Sequence, residues 1–223
     1  MPHFTHKYSR MKASSPLFAA QKHKLFATLA YEMTGRTHDL AAITALGVVV
    51  LVHSPETITL ATGLVALLAN QIGGITPDID QPTAPLWRNL PIGGIFGKVI
   101  DKMLGGHRFL THSILGVGLF SGLAWLLLKF LHPIMPAVNI GIVWWAFVIG
   151  IVSHLVMDTL TKEGVPWLLP IPIKFGIPPI KDLRITTGKL VEKLLFLAIL
   201  GFDIYYCSAH YHHLVQLFHQ RII

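Results

Sequence analysis

Hydrophobic positions in this chain come in long uninterrupted stretches rather than in the short alternations of a soluble fold. No Asp, Glu, Lys or Arg falls within residues 40–55, 57–77, 109–128 or 130–157. A bilayer asks for about 20 apolar residues per helix, with a range of roughly 17–25. The second and third runs fit that length and the first is short. The fourth begins with His132-Pro133 and Pro136, a turn signal that starts its helix near Val138. A fifth run, 190–207, carries Glu192, Lys193 and Asp203, and reads either as a span with charged ends or as an interfacial helix. The pattern predicts an all-α integral membrane protein, a bundle of about five transmembrane helices.

Two shorter stretches have a helical rather than a spanning period. Leu25, Phe26, Leu29, Ala30 and Met33 share one face of a helix, and Ile95, Phe96, Val99, Ile100 and Met103 lie opposite Lys98, Asp101 and Lys102. Both predict short amphipathic interfacial helices. The basic residues before position 37 are scattered, with no sustained apolar core and no small-residue cleavage site, so a signal peptide is not the favoured reading. The expected organisation is a basic segment over 1–36, a membrane-embedded domain over 37–207 and a His-rich tail over 208–223.

Composition changes the picture in three ways. Of 223 residues, 52% are apolar and only 13% charged, against roughly 25% charged in an ordinary soluble domain. One core cannot hide that much apolar surface, so lipid must cover part of it. The single cysteine, Cys207, excludes an internal disulfide and any CxxC site. The net charge of +7 speaks first about orientation: fifteen of the 18 Lys and Arg residues fall in 1–37, 77–108 and 161–189, all on the side of the N-terminus. The positive-inside rule puts that side in the cytoplasm of a multi-pass membrane protein. Without a nucleic-acid motif, the same charge does not argue for direct nucleic-acid binding.

The ionisable residues at the ends of the spans form the candidate chemistry. His38 opens the first helix, Asp78 and Asp80 close the second, His112 opens the third, and His154 and Asp158 close the fourth. An up-down-up-down path brings all six to one membrane face. His and Asp are ligands for Zn²⁺ and for harder cations such as Mn²⁺ or Mg²⁺. Six candidates exceed the three protein ligands typical of one catalytic Zn²⁺, and suit two divalent ions about 3.5–4 Å apart. Any one of these residues alone reads as a cap or an interfacial group; four regions converging favours a metal site. His210, His212, His213 and His219 stand among Tyr205, Tyr206 and Tyr211 and read instead as an interface belt.

These segments resemble a known family, the LexA-binding, inner membrane-associated, metal-dependent hydrolases. The likeness is carried by Thr37-His38, by Pro77-Asp78-Ile79-Asp80, and by His107-Arg108-Phe109-Leu110-Thr111-His112-Ser113. It continues through Ser153-His154-Leu155-Val156-Met157-Asp158-Thr159-Leu160-Thr161, Gly164-Val165 and the stretch 167–170, and covers about 34–192. A glycine that often follows the first His by four residues is Ala42 here, which bears on the close packing of the first helix. The family is distantly similar to zinc-dependent phospholipase C and P1-type nucleases, which implies phosphoester hydrolysis.

The resulting expectation is a membrane-embedded hydrolase in which a metal-activated water attacks a phosphoester. Arg108 is placed either to hold an anionic oxygen or to anchor at the membrane surface. His107 could act as a general acid, support a ligand or simply form the turn, and Glu192 could cap the pocket or add a carboxylate. A site at the membrane face, roofed by 95–104 and the proline-rich 166–179 loop, favours an amphiphilic substrate such as a phospholipid or isoprenoid phosphate. Two alternatives belong to other classes: a non-catalytic scaffold recruiting a cytoplasmic regulator, which needs no metal, and a metal-ion transporter, whose site belongs near the midplane.

Overall fold

The computed structural model describes residues 16–53, 58–171 and 173–219, with side chains from 35 onward except at 85 and 217–219. The helices are α1 (Pro16–His53), α2 (Leu60–Ile75), α3 (Pro85–Arg88), α4 (Gly93–Met103), α5 (Ile114–Leu131), α6 (Ile140–Thr159), α7 (Leu190–Ala209) and α8 (Tyr211–His219). Tight 3-10 turns at Thr76–Asp80, His132–Ile134 and Lys181–Leu183 join them. Among the described residues there is no strand, only isolated bridges pairing Thr161 with Ile185 and Val165 with Phe175.

Among the described residues, four helical stretches are long and apolar enough to cross a membrane: Gly35–His53, Leu60–Asp80, Ile114–Ile134 and Ile140–Thr159. They correspond to the four uncharged runs. Outward residues such as Leu64, Leu68 and Ile72 on α2, or Leu119, Leu123 and Leu126 on α5, are exposed, as expected where lipid rather than water is the neighbour. The fourth span starts two residues later than the sequence suggests, because the Asn139 side chain accepts from the backbone N–H groups of Gly141 and Ile142 and caps α6.

The fifth expected span, α7, is not among those four: it has 20 residues but carries three charges, Glu192, Lys193 and Asp203. Two of them turn towards α1: Thr37 Oγ1 donates to Glu192 Oε1 at 3.3 Å and Thr44 Oγ1 to Asp203 Oδ2 at 2.9 Å. The pairs occur in the same order along both helices, so α7 runs parallel to α1. The amphipathic stretch at 95–104 is α4, whose Ile95, Phe96, Val99 and Met103 remain exposed; its apolar face turns outward, as on an interfacial helix. Helix α1 continues without a break from Pro16 into the first span. The side chains of Leu25, Phe26, Leu29, Ala30, Met33 and His219 lie outside the described residues.

Helix α6 sits at the centre, packed on α1, α2 and α5. Its seam with α2 depends on two glycines. A Cβ on Gly150 would lie 2.1 Å from the Asn70 carbonyl oxygen, and one on Gly73 would lie 2.2 Å from that of Phe147. Small residues of this kind let helix backbones touch where lipid offers no hydrophobic drive for association. Fully buried Asn70 ties the seam by donating from Nδ2 to the Ala146 carbonyl at 3.1 Å. Ala42 is fully buried as well, and a Cβ on Gly74 would meet its methyl at 3.5 Å. The helix-one packing therefore accommodates alanine at that position.

Candidate metal centre

Local sequence holds each candidate ligand at a helix end. Pro77 sets the tight turn that carries Asp78 past the end of α2. Ser113 caps α5, its Oγ accepting from the Gly116 N–H at 3.1 Å, so helix geometry begins only after His112. His154 and Asp158 lie four residues apart on the last turns of α6, on one face. Trp167 closes the loop above them: its indole N–H donates to Thr159 Oγ1 at 2.9 Å and its carbonyl accepts from the Ile114 N–H at 3.0 Å.

The structure brings five of the six expected ligands together. His38, His154 and Asp158 form one group that could hold a metal ion, and Asp78, His112 and His154 form another, with each group's ligand atoms within 4.8 Å of one another. The rings of His38 and His154 have centroids 4.2 Å apart, and those of His112 and His154 5.5 Å. His38, His112, His154 and Asp158 are buried, while the Asp78 side chain is 31% exposed and marks the mouth.

Hydrogen bonds behind the cluster decide which atoms face its middle. The carbonyl of Gly74 can only accept, so its 2.6 Å contact with His154 Nδ1 fixes the proton there and leaves the Nε2 lone pair free. That Nε2 lies 3.7 Å from both Asp78 Oδ1 and Asp158 Oδ2. Thr111 spends its hydroxyl proton on Asp80 Oδ2, so Thr111 Oγ1 accepts from His112 Nδ1 at 2.9 Å. Nε2 of His112 then points 3.2 Å from Asp158 Oδ2. Arg108 occupies the other oxygen, donating from Nη2 to Asp158 Oδ1 at 2.9 Å and from Nη1 to Thr161 Oγ1 at 3.2 Å.

Asp80 corrects the expectation of a sixth ligand. Its carboxylate accepts from His107 Nδ1 at 2.8 Å, from the Arg108 N–H at 3.0 Å and from the Thr111 hydroxyl. It joins neither ligand group and stands behind them, orienting His112 through Thr111. Arg108 reaches it with a left-handed backbone, φ 59°, a conformation that costs a bulky residue of order 1–3 kcal/mol. Glu192 is also outside both groups, accepting from Thr37 Oγ1 and the Gly188 N–H. His210, His212 and His213 are likewise absent from them.

The cluster leaves buried polar atoms that a cation could occupy. His112 Nε2, Asp158 Oδ2 and His38 Nδ1 are buried without a hydrogen-bond partner, although such atoms normally cost free energy unless satisfied. A cation at the middle satisfies the first two, so the residues present fit a metal ion. Burial alone pushes the His112 imidazolium down, but the neighbouring carboxylates of Asp158 and Asp80 outweigh it and raise the pKa to about 9. Here a proton does part of the work that a metal ion does. Sequence reasoning missed Thr111 and the Gly74 carbonyl; the first was legible as the residue preceding His112, the second only from packing.

A family model described as YdjM inner membrane protein matches residues 33–214. The Bacillus subtilis (strain 168) protein YvsG, described as uncharacterized, is 27% identical over 85% of this chain and 99% of its own length. Proteins described as inner membrane protein YdjM from Escherichia coli (strain K12) and Shigella flexneri are each 31% identical over 59% of this chain. The aligned region spans 61% of the length of those two relatives. No solved structure matches the chain.

Proposed function

The chain belongs to the YdjM inner membrane protein family, and from that premise we propose a membrane-embedded, metal-dependent hydrolase that cleaves a phosphoester of a lipid or other amphiphile. The observation that carries this reading is the convergence of His38, Asp78, His112, His154 and Asp158 into two groups that could each hold a metal ion. The concentration of Lys and Arg in 1–37, 77–108 and 161–189 supports a cytoplasmic orientation of the centre.

A divalent cation such as Zn²⁺, Mn²⁺ or Mg²⁺ held by His38, Asp78, His112, His154 and Asp158 would supply Lewis acidity, acidifying a water and polarising a phosphoryl oxygen. The protein's own residues supply the rest. Gly74, Thr111 and Asp80 fix the His154 and His112 tautomers, the kind of support that holds ligand imidazoles in place. Arg108 holds Asp158 Oδ1 and thereby aims Oδ2 at the centre; it is a positioning residue. His107 is partly exposed, with Nδ1 committed to Asp80. That leaves Nε2 at the rim to deliver a proton to a departing alkoxide, in the manner of an oriented general acid. Helix α4 and the 166–171 loop present exposed Ile95, Phe96, Leu168 and Ile171 beside the centre, surfaces that suit a substrate arriving from the bilayer.

Elemental analysis of the purified protein tests the metal, and a panel of phosphatidic acids, phospholipids and isoprenoid phosphates with added Mn²⁺ or Zn²⁺ tests the reaction. The expected result is at least one bound ion per chain, lost in His154→Ala, and cleavage of at least one amphiphile that Asp78→Ala abolishes. Protein without an ion and indistinguishable from its His154→Ala variant refutes the reading. Cation flux in proteoliposomes without hydrolysis refutes it in favour of transport.

A further inference from the structure

The connection from α6 to α7 carries more exposed apolar surface than a loop in water keeps. Leu168, Ile171, Ile173, Ile177, Ile180 and Leu183 are each 47–68% exposed. Single exposed apolar residues are ordinary, but a run of them marks a surface that touches something. Lys174 and Lys181 stand among them, exposed as well, and Asp182 is the one acid between 168 and 183.

Backbone bonds fix the depth of this loop. The Trp167 carbonyl accepts from the N–H of Ile114, where the α5 span begins, and the Ile177 N–H donates to the carbonyl of Thr159, where the α6 span ends. The Ile185 N–H donates to the Leu160 carbonyl at 2.9 Å. The loop is thus tied to the level of the span ends. Its backbone is also withdrawn from water. Five of the 15 residues in 165–179 are proline and have no N–H. Of the other ten, Val165, Leu169, Ile171, Ile173, Phe175 and Ile177 donate to main-chain carbonyls. The Arg184 guanidinium lies against Gly176 and donates to the carbonyls of Pro178 and Pro179 at 2.8 and 3.0 Å. Irregular backbone survives at membrane depth only where its polar groups are met from within the protein.

We propose that the 168–183 loop is inserted in the cytoplasmic leaflet. Its isoleucine and leucine side chains enter the boundary between headgroups and acyl chains, and Lys174 and Lys181 reach the phosphates of acidic phospholipids. An apolar face edged with cations complements an anionic lipid surface. Lysine stems lie along apolar surface while the ammonium stays with the headgroups. The inference does not depend on the chemistry of the metal centre, and it treats lipid as the surface in which the loop rests, not as a reactant.

Fluorescence quenching tests it, with bimane attached at Ile177→Cys or, separately, Ile180→Cys in the full chain carrying Cys207→Ser. The protein is placed in vesicles of equimolar phosphatidylcholine and phosphatidylglycerol, one of the two lipids brominated on its acyl chains. Both labels should be quenched by the bromines and spared by aqueous iodide. Brominated phosphatidylglycerol should quench more than brominated phosphatidylcholine, and Lys174→Gln and Lys181→Gln should each cut that preference by up to about fivefold. Quenching by iodide instead of bromine overturns the proposal and puts the loop in water. Equal quenching by the two lipids overturns it too, since the lysines then select nothing. A label shielded from both quenchers overturns it in favour of a protein surface over the loop. Quenching that vanishes in Asp78→Ala does so as well, because the lipid then belongs to the metal centre.

Discussion

Replacing Gly150 by alanine perturbs the ligand cluster from one helical turn away. The new methyl would sit 2.1 Å from the Asn70 carbonyl oxygen, and Cβ atoms essentially never approach closer than 3.0 Å, so the helices must part by about 0.9 Å. The obstructing atom is backbone, which cannot rotate aside. His154 lies four residues further along α6 and bonds the Gly74 carbonyl on α2 at 2.6 Å. The same displacement carries that contact to about 3.5 Å, beyond useful hydrogen bonding. Overpacking of this sort costs about 1–3 kcal/mol, and loss of a ligand's supporting bond lowers metal affinity by about 10–100-fold. Zn²⁺ titration calorimetry on Gly150→Ala, with thermal unfolding alongside, reads both. Gly118→Ala on α5, where nothing lies within 4 Å of the new methyl, is the control and should bind like the parent. Parental affinity in Gly150→Ala refutes the argument that the α2–α6 seam positions His154.

Three further expectations concern groups around the same cluster. Without a cation, the raised His112 pKa of about 9 stabilises the fold fully below pH ~6.5, and that contribution is lost as pH rises through about 9. A binding cation must displace this proton, so apparent Zn²⁺ affinity should climb by up to about tenfold per pH unit across that window; a flat profile contradicts the assignment. Asp80→Asn keeps the shape but weakens the acceptor for His107, Arg108 and Thr111, and should reduce cation affinity about 10–100-fold without changing the ion count. A lost ion in that variant would return Asp80 to the ligand set. Arg108→Lys retains the charge but not the fork that reaches Asp158 and Thr161 together, and should weaken cation binding about tenfold; unchanged binding removes Arg108 as the residue that aims Asp158.

The spans were legible because charge avoidance over some 20 residues is a one-dimensional signal. Ligand convergence was legible too, since alternating helix direction alone brings His38, Asp78, His112, His154 and Asp158 to one face. Asp80 was not: whether it binds a cation or braces Thr111 depends on the positive φ of Arg108 and on the turn after Pro77, which spacing does not encode. The Gly73 and Gly150 seam escaped for a similar reason, because close approach belongs to a pair of helices and neither sequence segment announces its partner. The direction of α7 needed the Thr37–Glu192 and Thr44–Asp203 pairs, each more than 150 positions apart.

His154 belongs to both ligand groups, yet with Nδ1 committed to Gly74 it has a single lone pair to give. One nitrogen cannot serve two ions at once. Whichever position claims His154 becomes the tight one, and the other keeps only a pair of protein donors. Resting stoichiometry should accordingly sit at one ion per chain. If two ions bind, the group left without His154 would hold its ion more weakly than the other.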